Sequence, residues 1–301
     1  MMKILITGGT GLIGSHFIQK YQDKYQFTLV SRQHTPILSS GINPERITIL
    51  NDLDALPNLN DFDVVINLAG QPIVDKRWSR KQKQKICQSR WQITEQLSKR
   101  INDSDNPPNV FLSGSAIGFY GRQGDEEIDE NFAQVYPEFS HQVCKVWEDK
   151  ARLCQSKTRL CLLRTGIVLE RNRGALAKMI PPYRLGLGGR LSHGKQVMSW
   201  IHIDDMVNAM QFIIENEQLR GPINMTAPNP VSNRDFSESL ATVLGRPNIA
   251  TMPAFVLRGM FGEMADLLLY GQRVLPMALL KAGFVFQYDQ LKGALEQILK
   301  P

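Results

Sequence analysis

The stretch Thr7-Gly8-Gly9-Thr10-Gly11-Leu12-Ile13-Gly14 limits what this 301-residue chain can fold into more than any other. Ile4, Leu5 and Ile6 precede it as a short apolar run with two β-branched members. Such a run reads as a strand buried on both faces in a parallel sheet. Phe17, Ile18 and Tyr21 follow it at helical spacing. A strand, a glycine turn and a helix in that order open a βαβ unit that binds a dinucleotide. Gly8 permits the tight turn, Gly11 lets backbone approach a pyrophosphate, and Gly14 lets the helix pack closely on the strand. The first helical turn then offers free N–H groups and its positive dipole end to the phosphates.

The rest of the first half repeats the alternation of strand and helix. Phe27–Val30, Ile47–Leu50, Val64–Ile66, Val110–Leu112 and Leu160–Leu163 read as further strands, and Ile223-Asn224-Met225 as another short one. The fold class is therefore α/β, a doubly wound parallel sheet followed by a smaller, mostly helical region. The second strand ends in Ser31-Arg32, where an NAD site places an acidic residue on the ribose hydroxyls. No carboxylate stands there. Arg32 would pair with a 2′-phosphate and Ser31 would donate to it, which favours NADP over NAD. Ala69 and Gly70, after the fourth strand, would let backbone approach the same ligand. The corner at Asn51-Asp52-Leu53 is expected near the adenine, with a short helix from Asp54 onward.

Lys76 to Arg90 is the most basic stretch. It reads either as a solvated helix face or as a helix that turns Lys85 and Arg90 toward cofactor phosphate or ribose. Ser115 lies at the end of the fifth strand, beside the crevice where ligands of open α/β sheets bind. It reads as a substrate contact or as a turn residue. Arg122 to Glu130 is acidic and reads as an exposed loop able to act as a lid. Pro181 to Arg190, rich in proline and glycine, reads as a loop near the substrate. Asp204 or Asp205 is expected to cap a helix.

Net charge is +6, too small and too dispersed to indicate nucleic acid. No apolar stretch reaches the length needed to span a bilayer, so no membrane partner is expected. The four cysteines have no zinc or disulfide spacing, and no metal site is expected. Met1-Met2-Lys3 runs straight into the first strand without room for a signal peptide. A cytoplasmic protein with a small-molecule substrate is expected, and a homodimer is left open.

Several of these motifs together resemble the extended and atypical short-chain dehydrogenase/reductases of the NAD-dependent epimerase/dehydratase type. They are the glycine turn, Asn67-Leu68-Ala69-Gly70, Ser113-Gly114-Ser115 before Tyr120-Gly121, Leu163-Arg164-Thr165-Gly166 and Ile201-His202-Ile203-Asp204-Asp205. Arg77-Trp78, Trp147-Glu148 and the run Pro181-Pro182-Tyr183-Arg184-Leu185-Gly186-Leu187-Gly188-Gly189 resemble an epimerase-family branch with a C-terminal domain of unknown function. The resemblance covers essentially the whole chain. It implies a Rossmann domain over 1–170, with contributions from about 200–228. It implies a substrate-side region over 171–301 that includes a helical part at about 248–299. It implies NADP contacts from Gly8, Thr10, Gly11, Leu12, Ile13, Gly14, Ser31, Arg32, Leu68, Ala69, Gly70, Lys85, Arg90 and Val168.

That family works with a Tyr-xxx-Lys pair on the helix after the fifth strand, where lysine tunes the tyrosine that moves a proton. Here the matching helix reads His141-Gln142-Val143-Cys144-Lys145. The one Tyr-xxx-Lys of the chain, Tyr288 to Lys292, stands near the C-terminus on the wrong element. His141 is read as an acid/base tuned by Lys145 or as a helix residue without a role, and Tyr120 as a second proton donor or a core aromatic. The function expected is that of an NADP(H)-binding oxidoreductase or epimerase on a carbonyl or sugar-nucleotide type of substrate. The alternative is a non-catalytic NADP(H) sensor that acts through a partner.

Overall fold

The computed structural model describes residues 1–33 and 41–300. Positions 34–40 and Pro301, which belong to the two regions expected from the sequence, lie outside the described residues. Seven parallel strands form the central sheet. Five come from the first part of the chain: β1 (Met2–Thr7), β2 (Tyr25–Val30), β3 (Ile47–Leu50), β4 (Val64–Asn67) and β5 (Val110–Ala116). The order across the sheet is Gly221–Met225, Arg159–Thr165, β5, β4, β1, β2, β3. The chain runs outward from β1 to β3, returns at β4 beside β1, and then builds the other half. The strand order reverses between β1 and β4, which places the ligand crevice beyond their C-terminal ends. Thr7 and Asn67, the last residues of the two strands, are register partners.

Successive side chains of these strands face opposite helix layers. Ile4, Ile6, Val64, Ile66 and Leu112 pack with Phe17 and Ile18 of α1 (Leu12–Tyr21) and with Met206, Val207 and Met210 of the helix Ile203–Glu215. Leu5, Val65 and Phe111 point the other way. They meet Leu97 and Ile101 of α2 (Arg80–Asn102) and Ala151 of α3 (Phe139–Arg152). Both faces are therefore covered, as the uninterrupted apolar runs require. This is a Rossmann-type doubly wound sheet. A separate core joins Leu176, Ile180 and Tyr183 of α4 (Gly174–Arg184), Phe236 and Leu240 of the helix Asn233–Leu244, and Leu291 and Leu295 of the helix Leu291–Leu299.

Four local expectations change. The helix expected after Asp54 is a single 3-10 turn, Leu53–Ala55. Pro181 and Pro182 lie inside α4 rather than in a loop. The burial of Leu176, Ile180 and Tyr183 holds that helix together, and the loop begins only at Leu185, where Gly186 takes a positive φ of 74°. The helix Ile203–Glu215 is capped by His202, whose Nδ1 accepts from the Asp204 backbone N–H at 3.0 Å. Asp205 is instead spent on the C-terminal segment, accepting from the backbone N–H groups of Gln287 and Tyr288. The acidic stretch at 122–130 is anchored: Glu127–Ile128 pairs with Arg273–Val274, and the Glu130 carboxylate accepts from the backbone of Asn224 and Ala278 at 3.1 Å. Among the described residues no helix is long and apolar enough to cross a membrane.

Candidate active site at the sheet switch point

The turn after β1 has no room for side chains. Gly8 has φ +71°, and a Cβ there would lie 2.6 Å from the Leu68 backbone. A Cβ on Gly14 would lie 2.5 Å from the Gly8 carbonyl oxygen, and one on Gly11 2.9 Å from the same atom. Real Cβ atoms do not come within 3.0 Å, so the turn and the Leu68–Gly70 loop fit together only as glycine allows. A buried polar chain ties the two loops: Thr7 Oγ1 donates to Asn67 Oδ1 and Asn67 Nδ2 donates to Thr94 Oγ1, each at 2.7 Å. The first-turn N–H groups of α1 at Leu12, Ile13 and Gly14 precede any intrahelical acceptor. Gly11, the N-cap, has no side chain to satisfy them. This cradle suits a pyrophosphate.

Around it, Ser31 and Arg32 follow β2, with Ser31 half-buried and Arg32 exposed. Leu68 and Ala69 are half-buried, and Gly70 and Thr10 are exposed. Val168 is buried beside Ile201 on the strand Ile167–Leu169. The basic stretch divides. Lys85 stays on the exposed face of α2, whereas Arg90 turns in. Its Nη1 donates to the carbonyl oxygens of Gln71 and Ile86 at 3.0 Å, its guanidinium covers the Trp147 ring, and burial lowers its pKa. A Cβ on Gly70 would lie 2.9 Å from that guanidinium.

The fifth strand brings in a buried network. Ser115 Oγ donates to Glu148 Oε1 at 2.8 Å. Arg164 grips the same carboxylate twice, Nε to Oε1 at 2.8 Å and Nη2 to Oε2 at 2.9 Å. Arg164 Nη1 also donates to the Tyr120 hydroxyl at 3.0 Å, and that hydroxyl donates to Asn224 Oδ1 at 2.7 Å. Burial works against the Arg164 charge, but the Glu148 carboxylate outweighs it and holds the guanidinium above its usual range. Tyr120 is fully buried, and burial pushes its hydroxyl up to about 12, with Arg164 pulling the other way. The Tyr120 side chain is thus a core aromatic closed into this network, a poor place for a proton donor. Trp147-Glu148 and Leu163-Arg164, two separate marks of the family resemblance, thus meet in space through the Glu148–Arg164 pair, a contact that no local pattern signals.

Helix phase settles which α3 residues reach β5. Gly118 lies against them: a Cβ there would be 3.1 Å from Ser140 Cβ and 3.7 Å from Cys144 Sγ. Ser140 and Cys144 thus lie against the 3-10 turn Ile117–Tyr120 that follows β5, and Glu148, one turn beyond Cys144, reaches Ser115 on β5 itself. The expected pairing of His141 with Lys145 does not form. Lys145 holds Asp149 at 2.6 Å on the exposed side. His141 is buried, with Nδ1 against the Phe119 carbonyl and its ring edge-on to Phe119. Burial pushes the Cys144 thiol up to about 12, aided by the nearby Glu148, and Ser140 Oγ donates to Glu138 Oε1 at 2.8 Å. Among the described residues no group of three or more His, Cys, Asp or Glu could hold a metal ion.

Known proteins share this architecture along its whole length. An epimerase family protein, SDR39U1, of Mus musculus is 34% identical over 99% of this chain and 100% of its own. A chloroplastic homologue of Arabidopsis thaliana is 35% identical over 99% of this chain and 87% of its own. The crystal structure of human SDR39U1 (isoform2) with NADPH superposes with a TM-score of 0.91 at 31% identity, covering 99% of both chains. A UDP-glucuronic acid 4-epimerase from Bacillus cereus, at 19% identity and a TM-score of 0.78 over 99% of this chain and 98% of its own, shares the fold. The pattern of a domain of unknown function, DUF1731, matches residues 252–298. That of the NAD dependent epimerase/dehydratase family matches residues 4–225, and the chain belongs to that family.

Proposed function

We propose that this protein binds NADP(H) at the switch point and is an oxidoreductase or epimerase for a carbonyl or sugar-nucleotide type of substrate. The observation that carries the reading is the glycine cradle, closed to any Cβ at Gly8, Gly11 and Gly14, with Ser31-Arg32 in place of a carboxylate at the end of β2. The human relative crystallised with NADPH supports the choice of dinucleotide. Bound there, the cofactor supplies a hydride at its nicotinamide. The chain binds its phosphates through the first turn of α1 and Arg32, and Arg90 lines the Gln71 side. Ser115 serves by holding Glu148. His141 takes the proton-transfer role: its Nδ1 is committed to the Phe119 carbonyl oxygen, which leaves Nε2 to meet the substrate. A thermal-shift comparison tests the cofactor: NADPH raises the melting temperature more than NADH in wild type, and Arg32→Ala removes the difference. Equal shifts by both in wild type would overturn the NADP(H) assignment. A panel of carbonyl compounds and sugar nucleotides with NADPH tests turnover, which His141→Ala should lower.

One observation favours a second reading, a non-catalytic NADP(H) sensor. Tyr120 is enclosed and Lys145 faces Asp149, so the pair that usually moves the proton has no counterpart on α3. NADPH binding without turnover across the whole panel would select it.

A further inference from the structure

We propose that Arg173 is a phosphate-binding residue of the dinucleotide site, its guanidinium closing on the pyrophosphate over the glycine turn. The inference rests on reading that turn as the NADP(H) site. Arg173 is far from the turn in sequence. It ends the loop that leads into α4 and is that helix's N-cap. The loop is fixed in place. Glu170 accepts from the backbone N–H groups of Asn172 at 2.9 Å and Arg173 at 2.6 Å. Gly174 packs on Leu12, where a Cβ would lie 3.0 Å from Leu12 Cδ2. From that anchor the guanidinium reaches the turn: Nη2 donates to the Thr10 carbonyl oxygen at 2.9 Å and Nη1 to Ser15 Oγ at 3.2 Å.

Thr10 and Ser15 bracket the first turn of α1. The cation therefore sits at the positive end of a helix, where its sign is unfavourable. Among the described residues no carboxylate lies within ion-pair distance of it, since Glu170 is engaged by backbone N–H groups. An anion lying between the free first-turn N–H groups and the guanidinium turns this repulsion into a two-sided attraction. A guanidinium has five N–H donors, and the two contacts seen leave others to meet phosphate oxygens.

The test is a fluorescence titration of NADPH and NADH on wild type, Arg173→Ala and Ser15→Ala. Both dinucleotides carry the pyrophosphate, so Arg173→Ala should weaken both by about tenfold, the loss of one charge-assisted contact. Ser15→Ala removes a protein partner of the guanidinium and the Ser15 Oγ bond to the Leu12 carbonyl oxygen, but no phosphate donor, and should stay within about twofold. The proposal fails if Arg173→Ala binds both dinucleotides as wild type does. It fails if only NADPH weakens, which would place the guanidinium on the 2′-phosphate. It fails if Ser15→Ala reproduces the loss, which would make Arg173 a brace of the turn. Wild type that binds neither dinucleotide would instead overturn the NADP(H) reading itself.

Discussion

Replacing Glu148 by glutamine keeps the shape of the side chain and removes its charge, and the Arg164 guanidinium then has no counter-ion in a buried place. Glu148 and Arg164 are 1% and 3% exposed. The carboxylate accepts from Ser115 Oγ and from Arg164 Nε and Nη2. Glutamine can keep Oε1 on Ser115 and Nε. Its amide nitrogen then faces Arg164 Nη2, a donor against a donor, with Arg152 Nη2 a further donor at 3.4 Å. Breaking a buried ion pair from one side costs about 3–5 kcal/mol, because a charge is left uncompensated. The stacking of Arg164 on Phe119, 3.6 Å from guanidinium carbon to ring centroid, survives the change and places the cost toward the lower end. At about 2 °C per kcal/mol for a chain of this size, the melting midpoint should fall by about 6–8 °C. Thermal melts followed by far-UV circular dichroism read the shift. Joining Glu148→Leu to Arg164→Met should cost less than the two single changes added together, since neither charge is then stranded. A Glu148→Gln protein melting within about 2 °C of wild type would refute the reasoning.

Three other outcomes follow from burial and close contact. Cys144, Cys154 and Cys161 are buried, with thiols pushed up to about 12, 11 and 11, burial being the main cause in each. Native protein at pH 8 should therefore label with a thiol reagent at the half-buried Cys87 alone, against all four when denatured. These folded-state values lie above the unfolded 9.0, so stability is full below pH 9 and is lost as pH rises toward 11; a melting temperature unchanged between pH 8.5 and 10.5 would contradict the burial. Gly14→Ala places a Cβ 2.5 Å from the Gly8 carbonyl oxygen, so it should abolish the NADPH-induced thermal shift and lower the melting temperature; an unchanged shift would show that the turn yields.

Short-range features of the chain were legible in the sequence because backbone sterics and burial dictate them locally. Gly8, Gly11 and Gly14 mark a turn that larger residues cannot enter, and runs such as Ile4-Leu5-Ile6 and Val64-Val65-Ile66 can be satisfied only in strands covered on both faces. The α/β class and the parallel sheet follow from these alone. The direction in which a side chain leaves α3 was not legible. It depends on helix phase against the neighbouring segments: Cys144 and Glu148 turn inward, whereas Lys145 turns out to Asp149. Nor was the use of charged residues: Glu148 meets Arg164 and Ser115 across three elements, and Arg173 reaches Thr10 and Ser15 from more than 150 positions away. Sequence determined which segments become strands and where the glycine turn falls, since those choices are made within a few residues. Tertiary structure alone decided which charges are buried together and which side chains face the cleft, since both depend on packing between segments remote in the chain.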